Sequence, residues 1–247
     1  MRWKGRAQSG NVEDRRALGR GKAAAGGGVG ILVVAALVYL LGGDPSQVID
    51  TLQTAGGGYG PADSSVILAE QELAAFAAVV LKDTEDIWHA LFRENGMVYR
   101  EPTLVLFSGA AQSACGFSSS ATGPFYCPGD EKVYIDLSFL AELQRRLGAG
   151  GDFAMAYIIA HEVGHHVQKQ LGILDKVHAL RGRVSETEYN RYQVSLELQA
   201  DFFAGIWAHH ADRTKGILEE GDVDEAVNAA AAVGDDRIQM QSQGYVV

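Results

Sequence analysis

Two histidines in the chain have a spacing that is suited to binding one metal ion. The segment His161-Glu162-Val163-Gly164-His165 has the form H-E-x-x-H, and residues four apart on a helix lie on one face, one turn apart. Two imidazoles placed in this way can reach one Zn²⁺ ion at about 2.0–2.1 Å. Glu162 stands beside them, where its carboxylate can hold a metal-activated water and take its proton. The motif therefore predicts a zinc site with Glu162 as the general base.

The helix that must carry this motif is apolar on almost every side. We expect a helix over 152–171, with Asp152 as its N-cap, because apolar residues fill the segment FAMAYIIAHEVGHHVQKQL. Burying two histidines and a glutamate without partners costs free energy, and a metal ion supplies the partner. Gly164 lies inside the motif, although glycine costs about 1 kcal/mol relative to alanine in a helix. A close approach by another element at Gly164 would account for it.

A catalytic zinc ion also needs a third protein ligand. Glu197 and Asp201 are four apart on a predicted helix over 186–210, among apolar neighbours. We expect Glu197 to be the third ligand, and Asp201 to accept a hydrogen bond from the far nitrogen of a ligating histidine. A solvated acidic pair is the alternative interpretation. The competing ligands are Asp201 itself, His166, His178, His209 and His210.

The N-terminal part of the chain has the charge pattern of a membrane anchor. Residues 1–22 carry seven basic and two acidic residues, residues 23–43 carry none, and the whole chain has a net charge of −10. As a helix, residues 23–41 would span about 28 Å, close to the thickness of the hydrocarbon core of a bilayer. We therefore predict a transmembrane helix over 23–43 in a single-pass protein of the cell membrane. Residues 1–22 would be cytoplasmic and the acidic body extracytoplasmic.

Two other interpretations of residues 23–43 stay open. A buried core helix is one, although seven basic residues rarely precede a core helix. A cleaved signal peptide is the other, and it would release a soluble secreted hydrolase near Gly43, although the sequence there is a poor cleavage site. Gly26 and Gly30 have a spacing that can pair helices in a lipid bilayer, so a homo-oligomer is also an expectation.

The body of the chain contains many predicted helices and few strands. We expect a linker over 44–65 and one α+β domain over 66–247, in which the Gly/Ser-rich segment 108–130 is loop-like. The strand Lys132–Asp136 is either an exposed edge that pairs with an extended substrate or an ordinary core strand. The predicted helices cover 66–94, 137–147, 152–171, 186–210 and 222–243, and the predicted strands are Thr103–Phe107 and Lys132–Asp136.

Composition excludes several classes of protein. The isoelectric point is near 5.1, so the chain lacks the positive charge of a general nucleic-acid binder and no nucleic-acid partner is expected. Two cysteines are too few for a four-cysteine zinc module. Outside the cytoplasm we favour a disulfide between Cys115 and Cys127 over two free thiols or a second metal-binding pair.

Several motifs in combination resemble a known family. The set is similar to the neutral zinc metallopeptidases, bacterial single-pass membrane proteins related in motif to gluzincins. The resemblance implies a zincin-like fold and zinc-dependent hydrolysis of peptide bonds, with ligands at His161, His165 and Glu197 and with Glu162 as catalytic base. It implies no particular substrate. The matching segments are residues 1–3 (MRW), 11–16 (NVEDRR), 123–128 (GPFYCP), 133–138 (VYIDLS), 161–165 (HEVGH), 197–201 (ELQAD) and 204–208 (AGIWA).

Together these features predict a membrane-anchored peptidase. Its fold class would be α+β and zincin-like, mostly helical with a small sheet, preceded by one transmembrane helix. It would bind Zn²⁺ and the lipid bilayer, and would hydrolyse peptide or protein substrates. The alternative is a zinc-stabilised membrane adaptor or chaperone that hydrolyses nothing. The two hypotheses differ at Glu162, because only the peptidase needs that carboxylate for its activity.

Overall fold

The computed structural model describes residues 1–16, 64–119, 123–147 and 151–233. These residues form both helices and short strands. The helices are α1 (Ser64–Glu94), α2 (Leu137–Leu147), α3 (Asp152–Gln170), α4 (Ile173–His178), α5 (Glu186–Lys215) and α6 (Asp222–Val233). The strands are β1 (Val12–Asp14), β2 (Thr103–Phe107), β3 (Ala110–Ser113), β4 (Gly116–Ser119), β5 (Phe125–Cys127) and β6 (Lys132–Asp136).

Four of the strands form a mixed sheet in the order β1-β2-β6-β5. β1, β2 and β6 run parallel, and β5 runs antiparallel to β6. β2 and β6 are buried over their last four residues, as their runs of aliphatic and aromatic residues predict. Because β6 is bonded on both sides, Lys132–Asp136 is an interior strand and not an exposed edge. The edge on that side of the sheet is β5.

The two faces of the sheet are covered by different parts of the chain. Side chains alternate between the faces of a strand, so Leu104 and Leu106 face the main core while Val105 and Phe107 face a second, smaller cluster. Cys127 of β5 belongs to the smaller cluster and is joined to Cys115 by a disulfide, the pairing that the sequence analysis favoured. The segment expected to be a loop thus contains β3, β4 and β5. The glycine and serines of β3 and β4 have low strand propensity.

The first sixteen residues are part of this fold. β1 extends the sheet by pairing with β2, with Val12 opposite Leu104. On the way to β1, the side chains of Ser9 and Asn11 both donate hydrogen bonds to Glu85 of α1. Glu85 is buried, so the N-terminal segment supplies hydrogen-bond partners that this carboxylate needs in the interior.

The predicted membrane topology is wrong. No helix within the described residues is both long and apolar enough to cross a bilayer, and residues 23–43 lie outside the described ranges. The segments on either side of them meet in one sheet, because β1 and β2 are bonded neighbours. A single crossing between these segments would place the two strands on opposite sides of the membrane. The fold class is therefore corrected to a mixture of helices and small sheets, and the expected single-pass location is withdrawn.

One ion pair between the N-terminal segment and α1 is buried, so its contribution to stability should be large enough to measure. The side chain of Asp83 on α1 is 3% exposed and faces both Arg6 and Lys215. Replacing Arg6 with alanine removes one of these two cations, and we expect the free energy of unfolding to fall by about 1–3 kcal/mol. Urea denaturation measures this change.

Arg2 provides the control for this experiment. Its side chain is 66% exposed and lies 3.7 Å from Glu219, so Arg2→Ala should change the free energy of unfolding by less than about 0.5 kcal/mol. Equal effects of the two substitutions would show that Arg6 contributes no more than a surface charge.

Candidate metal centre

Helix α3 carries the histidine motif through the interior of the domain. It packs against α1, α5 and α6 and against strands β5 and β6, and most of its residues between Phe153 and Gln168 are buried. The helix begins one position away from the expected cap, because Gly151 is the N-cap and Asp152 the first helical residue. The carboxylate of Asp152 instead accepts a hydrogen bond from the amino group of Met1. The motif is thus held on a rigid, buried element.

Side chains from α3 and α5 converge at the motif. The Nε2 atom of His161 lies 3.2 Å from Oε2 of Glu197, and the Nε2 atom of His165 lies 3.4 Å from the same oxygen. The ligand atoms that these three residues offer all lie within 4.8 Å of one another. Two ligands at about 2.1 Å from a tetrahedral zinc ion are about 3.4 Å apart. The donor set and its spacing therefore fit a zinc ion.

The other ring nitrogen of each histidine is held by a neighbouring side chain. Oδ1 of Asp201 lies 2.8 Å from Nδ1 of His161, and Oε1 of Gln168 lies 3.0 Å from Nδ1 of His165. Carboxylate and amide oxygens only accept hydrogen bonds, so both Nδ1 atoms carry a proton and Nε2 is the nitrogen left for a metal ion. Tyr157 donates to the same oxygen of Asp201. Asp201 thus lies where the sequence analysis expected it.

Gln168 is a site residue that the sequence analysis missed. Its side chain is wholly buried, and its Nε2 donates to the backbone oxygen of Leu196 at 2.7 Å and to Oε1 of Gln199 at 3.2 Å. Gln168 therefore joins α3 to α5 next to Glu197 while it orients His165. Its position three residues after His165, one turn along an apolar helix, was the available signal.

Gly164 allows α3 and α5 to approach closely. A Cβ atom at this position would lie 3.0 Å from the carbonyl oxygen of Ala200 and 3.1 Å from its Cα. Ala200 lies on α5 between Glu197 and Asp201, so this approach brings both acidic side chains within reach of the histidines. It is the close approach that the sequence analysis expected.

Adding a methyl group at Gly164 is expected to destabilise the protein. The contacted atoms of Ala200 are backbone atoms of a helix, which cannot move aside as a flexible side chain would. Overpacking costs about 1–3 kcal/mol, and alanine recovers about 1 kcal/mol of helix propensity. We expect Gly164→Ala to lower the free energy of unfolding by about 1 kcal/mol and to weaken zinc binding.

Gly205 on α5 is the matched control for this substitution. A Cβ atom there would meet nothing within 4 Å, so Gly205→Ala should raise the free energy of unfolding by about 0.5–1 kcal/mol. Thermal denaturation of both variants checks whether Gly164→Ala lowers the stability of the protein and Gly205→Ala raises it. A stabilising Gly164→Ala would mean that the contact between the helices is loose.

The surroundings of the two glutamates at the site shift their pKa values in opposite directions. Burial raises the pKa of Glu162, although His165 and His161 partly offset it. Burial also disfavours the charged form of Glu197, but its contacts with His161 and His165 outweigh this effect and hold the pKa of Glu197 well below its usual range. Glu197 is thus suited to remain an anionic ligand. A raised pKa brings Glu162 closer to the basicity that a general base needs near neutral pH.

The four histidines that were competing ligands lie apart from this group. His166 is bonded to Tyr126 and to the backbone oxygen of Arg100. His178 is exposed at the end of α4, and His209 and His210 contact each other near the end of α5. Within the described ranges, none of these histidines joins a cluster of three side chains that could hold a metal ion.

The chain is similar to uncharacterised bacterial proteins. It is 46% identical over 261 aligned residues to the uncharacterised protein YpfJ of Escherichia coli K12, covering all of this chain and 88% of that protein. Over 156 residues it is 44% identical to the uncharacterised protein Rv2575 of Mycobacterium tuberculosis H37Rv, covering 59% of this chain and 52% of that protein. No solved structure gives a significant match. The family model described as Putative neutral zinc metallopeptidase matches residues 1–247, and the chain therefore belongs to that family.

Proposed function

We propose that the protein hydrolyses peptide bonds by means of a zinc ion held by His161, His165 and Glu197. The observation that carries the proposal is the convergence of both Nε2 atoms on Oε2 of Glu197, at 3.2 and 3.4 Å. Asp201 and Gln168 fix the ring orientations that produce this convergence. A site with three protein ligands leaves a position open for chemistry, whereas structural zinc sites are closed by four.

The chemistry is divided between the metal ion and Glu162. When bound, zinc supplies Lewis acidity, which polarises a carbonyl group and lowers the pKa of a water molecule. Glu162 takes the proton of the attacking water and later returns it to the leaving amine. Glu162 is 9% exposed, so it has few competing contacts with solvent.

Strand β5 is the element best placed to hold an extended substrate. It forms the edge of the sheet next to α3, and the hydroxyl of its residue Tyr126 lies 3.0 Å from Nδ1 of His166, one helical turn after the proposed base. An extended peptide can add to a free edge through main-chain hydrogen bonds, with little dependence on side chains. We therefore propose an unstructured segment of a peptide or protein as the substrate.

Removal of the metal ion tests the proposed activity. The zinc-loaded protein is incubated with a mixed library of unstructured peptides, and the products are identified by mass spectrometry. We expect cleavage that stops when a chelator removes zinc and returns when zinc is added back. If no peptide in the library is cleaved by the zinc-loaded protein, the alternative of a zinc-stabilised adaptor without hydrolytic activity is favoured.

A further inference from the structure

A tyrosine on α3 shares the carboxylate of Asp201 with one of the proposed ligands. Tyr157 lies four residues before His161, so the two side chains leave α3 on the same face, one turn apart. The hydroxyl of Tyr157 donates to Oδ1 of Asp201, and Nδ1 of His161 lies 2.8 Å from the same oxygen. One oxygen atom on α5 therefore joins two successive turns of α3.

The carboxylate of Asp201 is open to solvent, so a second donor matters for its position. Its side chain is 38% exposed, whereas that of His161 is 17% exposed, and water can compete for the oxygens of Asp201. Among the described residues, its hydrogen-bond partners are Tyr157 and His161. An aspartate that is held by one donor keeps more of its rotational freedom than one held by two donors. The hydroxyl of Tyr157 thus restricts the orientations of this carboxylate.

The bond from Tyr157 lies at one end of the contact between α3 and α5. In the middle of this contact, Gly164 allows the backbone of Ala200 to approach. At the other end, Gln168 bonds to the backbone oxygen of Leu196. Both histidines of the motif lie between Tyr157 and Gln168 along α3. The proposed ligands are therefore flanked by two polar contacts that join the same two helices.

We propose that Tyr157 is a positioning residue, which acts through Asp201 to fix the imidazole ring of His161 for the zinc ion. The inference rests on the proposed function, because it concerns a ligand of that zinc site. The hydroxyl of Tyr157 holds the carboxylate, and the carboxylate holds the Nδ1–H of His161, so that Nε2 stays directed at the ion. Groups that orient a metal ligand in this way typically change metal affinity or activity by about 10–100-fold.

Tyr134 provides a matched control for the removal of this hydroxyl. The hydroxyl of Tyr134 donates to Oδ2 of Asp130 at 2.7 Å, and Tyr134 is buried in the smaller cluster of the sheet. The ring of Tyr157 packs against the main core, and phenylalanine keeps the ring in both cases. Tyr157→Phe and Tyr134→Phe therefore make the same chemical change, but only the first affects an aspartate that contacts a proposed ligand.

The first test is a double-mutant cycle on zinc affinity. The full-length wild type, Tyr157→Phe, Asp201→Ala and the double variant are titrated with zinc in competition with a chromophoric chelator. We expect Tyr157→Phe to weaken zinc binding about fivefold and Asp201→Ala to weaken it about fiftyfold. Because the hydroxyl acts through Asp201, Tyr157→Phe should weaken binding by less than about twofold once Asp201 is replaced. Tyr134→Phe should change the affinity by less than about twofold in either background.

The second test observes the imidazole of His161 directly. In the zinc-loaded protein with ¹⁵N-labelled histidine, NMR measures how fast the Nδ1–H proton of His161 exchanges with water. We expect Tyr157→Phe to speed this exchange about fivefold, because the acceptor on Asp201 is less firmly held. Tyr134→Phe should leave the exchange unchanged. A merely structural role of Tyr157 would instead lower the melting temperature of the metal-free protein and leave this proton as it is in the wild type.

The outcomes separate this inference from the proposed function. An equal loss of zinc affinity on Tyr157→Phe with and without the carboxylate of Asp201 would overturn the inference, and so would unchanged affinity and proton exchange in Tyr157→Phe. A loss of kcat on Tyr157→Phe in the zinc-saturated Asp201→Ala background would also overturn it, because the hydroxyl would then act on the substrate directly. If the wild-type protein binds zinc but cleaves no peptide, the proposed function fails, and the zinc titration still decides the role of Tyr157.

Discussion

Replacing Glu162 with glutamine is expected to lower kcat for peptide cleavage by about two to four orders of magnitude. The amide has nearly the same shape as the carboxylate, so the packing around this side chain is kept. It cannot take a proton from water, so the proposed base is lost while the structure around it is kept. Steady-state kinetics on a cleaved peptide measure the effect, and metal analysis checks that zinc is still bound.

The control for this substitution is Glu188, which is exposed on the first turn of α5. Glu188→Gln makes the same chemical change away from the site and should leave kcat within about twofold of the wild type. An active Glu162→Gln variant would contradict the proposed mechanism, even if the protein binds zinc as expected. The adaptor hypothesis predicts that Glu162→Gln behaves like the control.

Replacing His165 with alanine should weaken zinc binding by at least about a thousandfold. The substitution removes one of three protein ligands, and it also leaves Gln168 without the imidazole N–H that its Oε1 accepts. The other two ligand side chains remain but cannot close the site around the ion. A competition titration against a chromophoric chelator measures the change in affinity.

His209 is the matched histidine for this comparison. It is exposed near the end of α5, and it was one of the competing ligands in the sequence analysis. His209→Ala should bind zinc as the wild type does. If instead His209→Ala loses zinc and His165→Ala keeps it, the ion is held elsewhere in the protein.

The sequence predicted those parts of the fold that depend on local periodicity. α2, β2 and β6 have the predicted bounds, and α3 differs by one residue at each end, because their apolar residues repeat at helical or strand spacing. β1 was missed because its three residues, VED, contain two acids. It is a strand only through its pairing with β2, and such tertiary pairing overrides local propensity.

The error in topology has an electrostatic cause. Seven basic residues in the first 22 indicated a segment on the cytoplasmic side of a membrane. In the structure Arg6 binds the buried Asp83, and Arg16 binds Asp14. A count of charges does not distinguish a solvated cation from one that is paired with a carboxylate 77 positions away.

The candidate site also contains residues that local periodicity predicts and residues that only packing between elements brings into place. His161 and His165 were predictable because the geometry of one helix fixes their relation. Glu197 and Asp201 were predictable from acidic residues at helical spacing among apolar ones. Gln168 had one signal, its position one turn after His165, but its bonds to α5 could not be predicted from the chain. Such contacts depend on packing between elements, which spacing along one helix does not reveal.

The most direct test of the proposed zinc site is the zinc content of the purified protein with and without the carboxylate of Glu197. This residue lies outside the histidine motif, so it tests whether α3 and α5 share one ion. After dialysis against dilute chelator, we expect about one zinc per chain in the wild type and in Glu188→Ala, and close to none in Glu197→Ala. Full retention of zinc by Glu197→Ala would contradict the proposed ligand set.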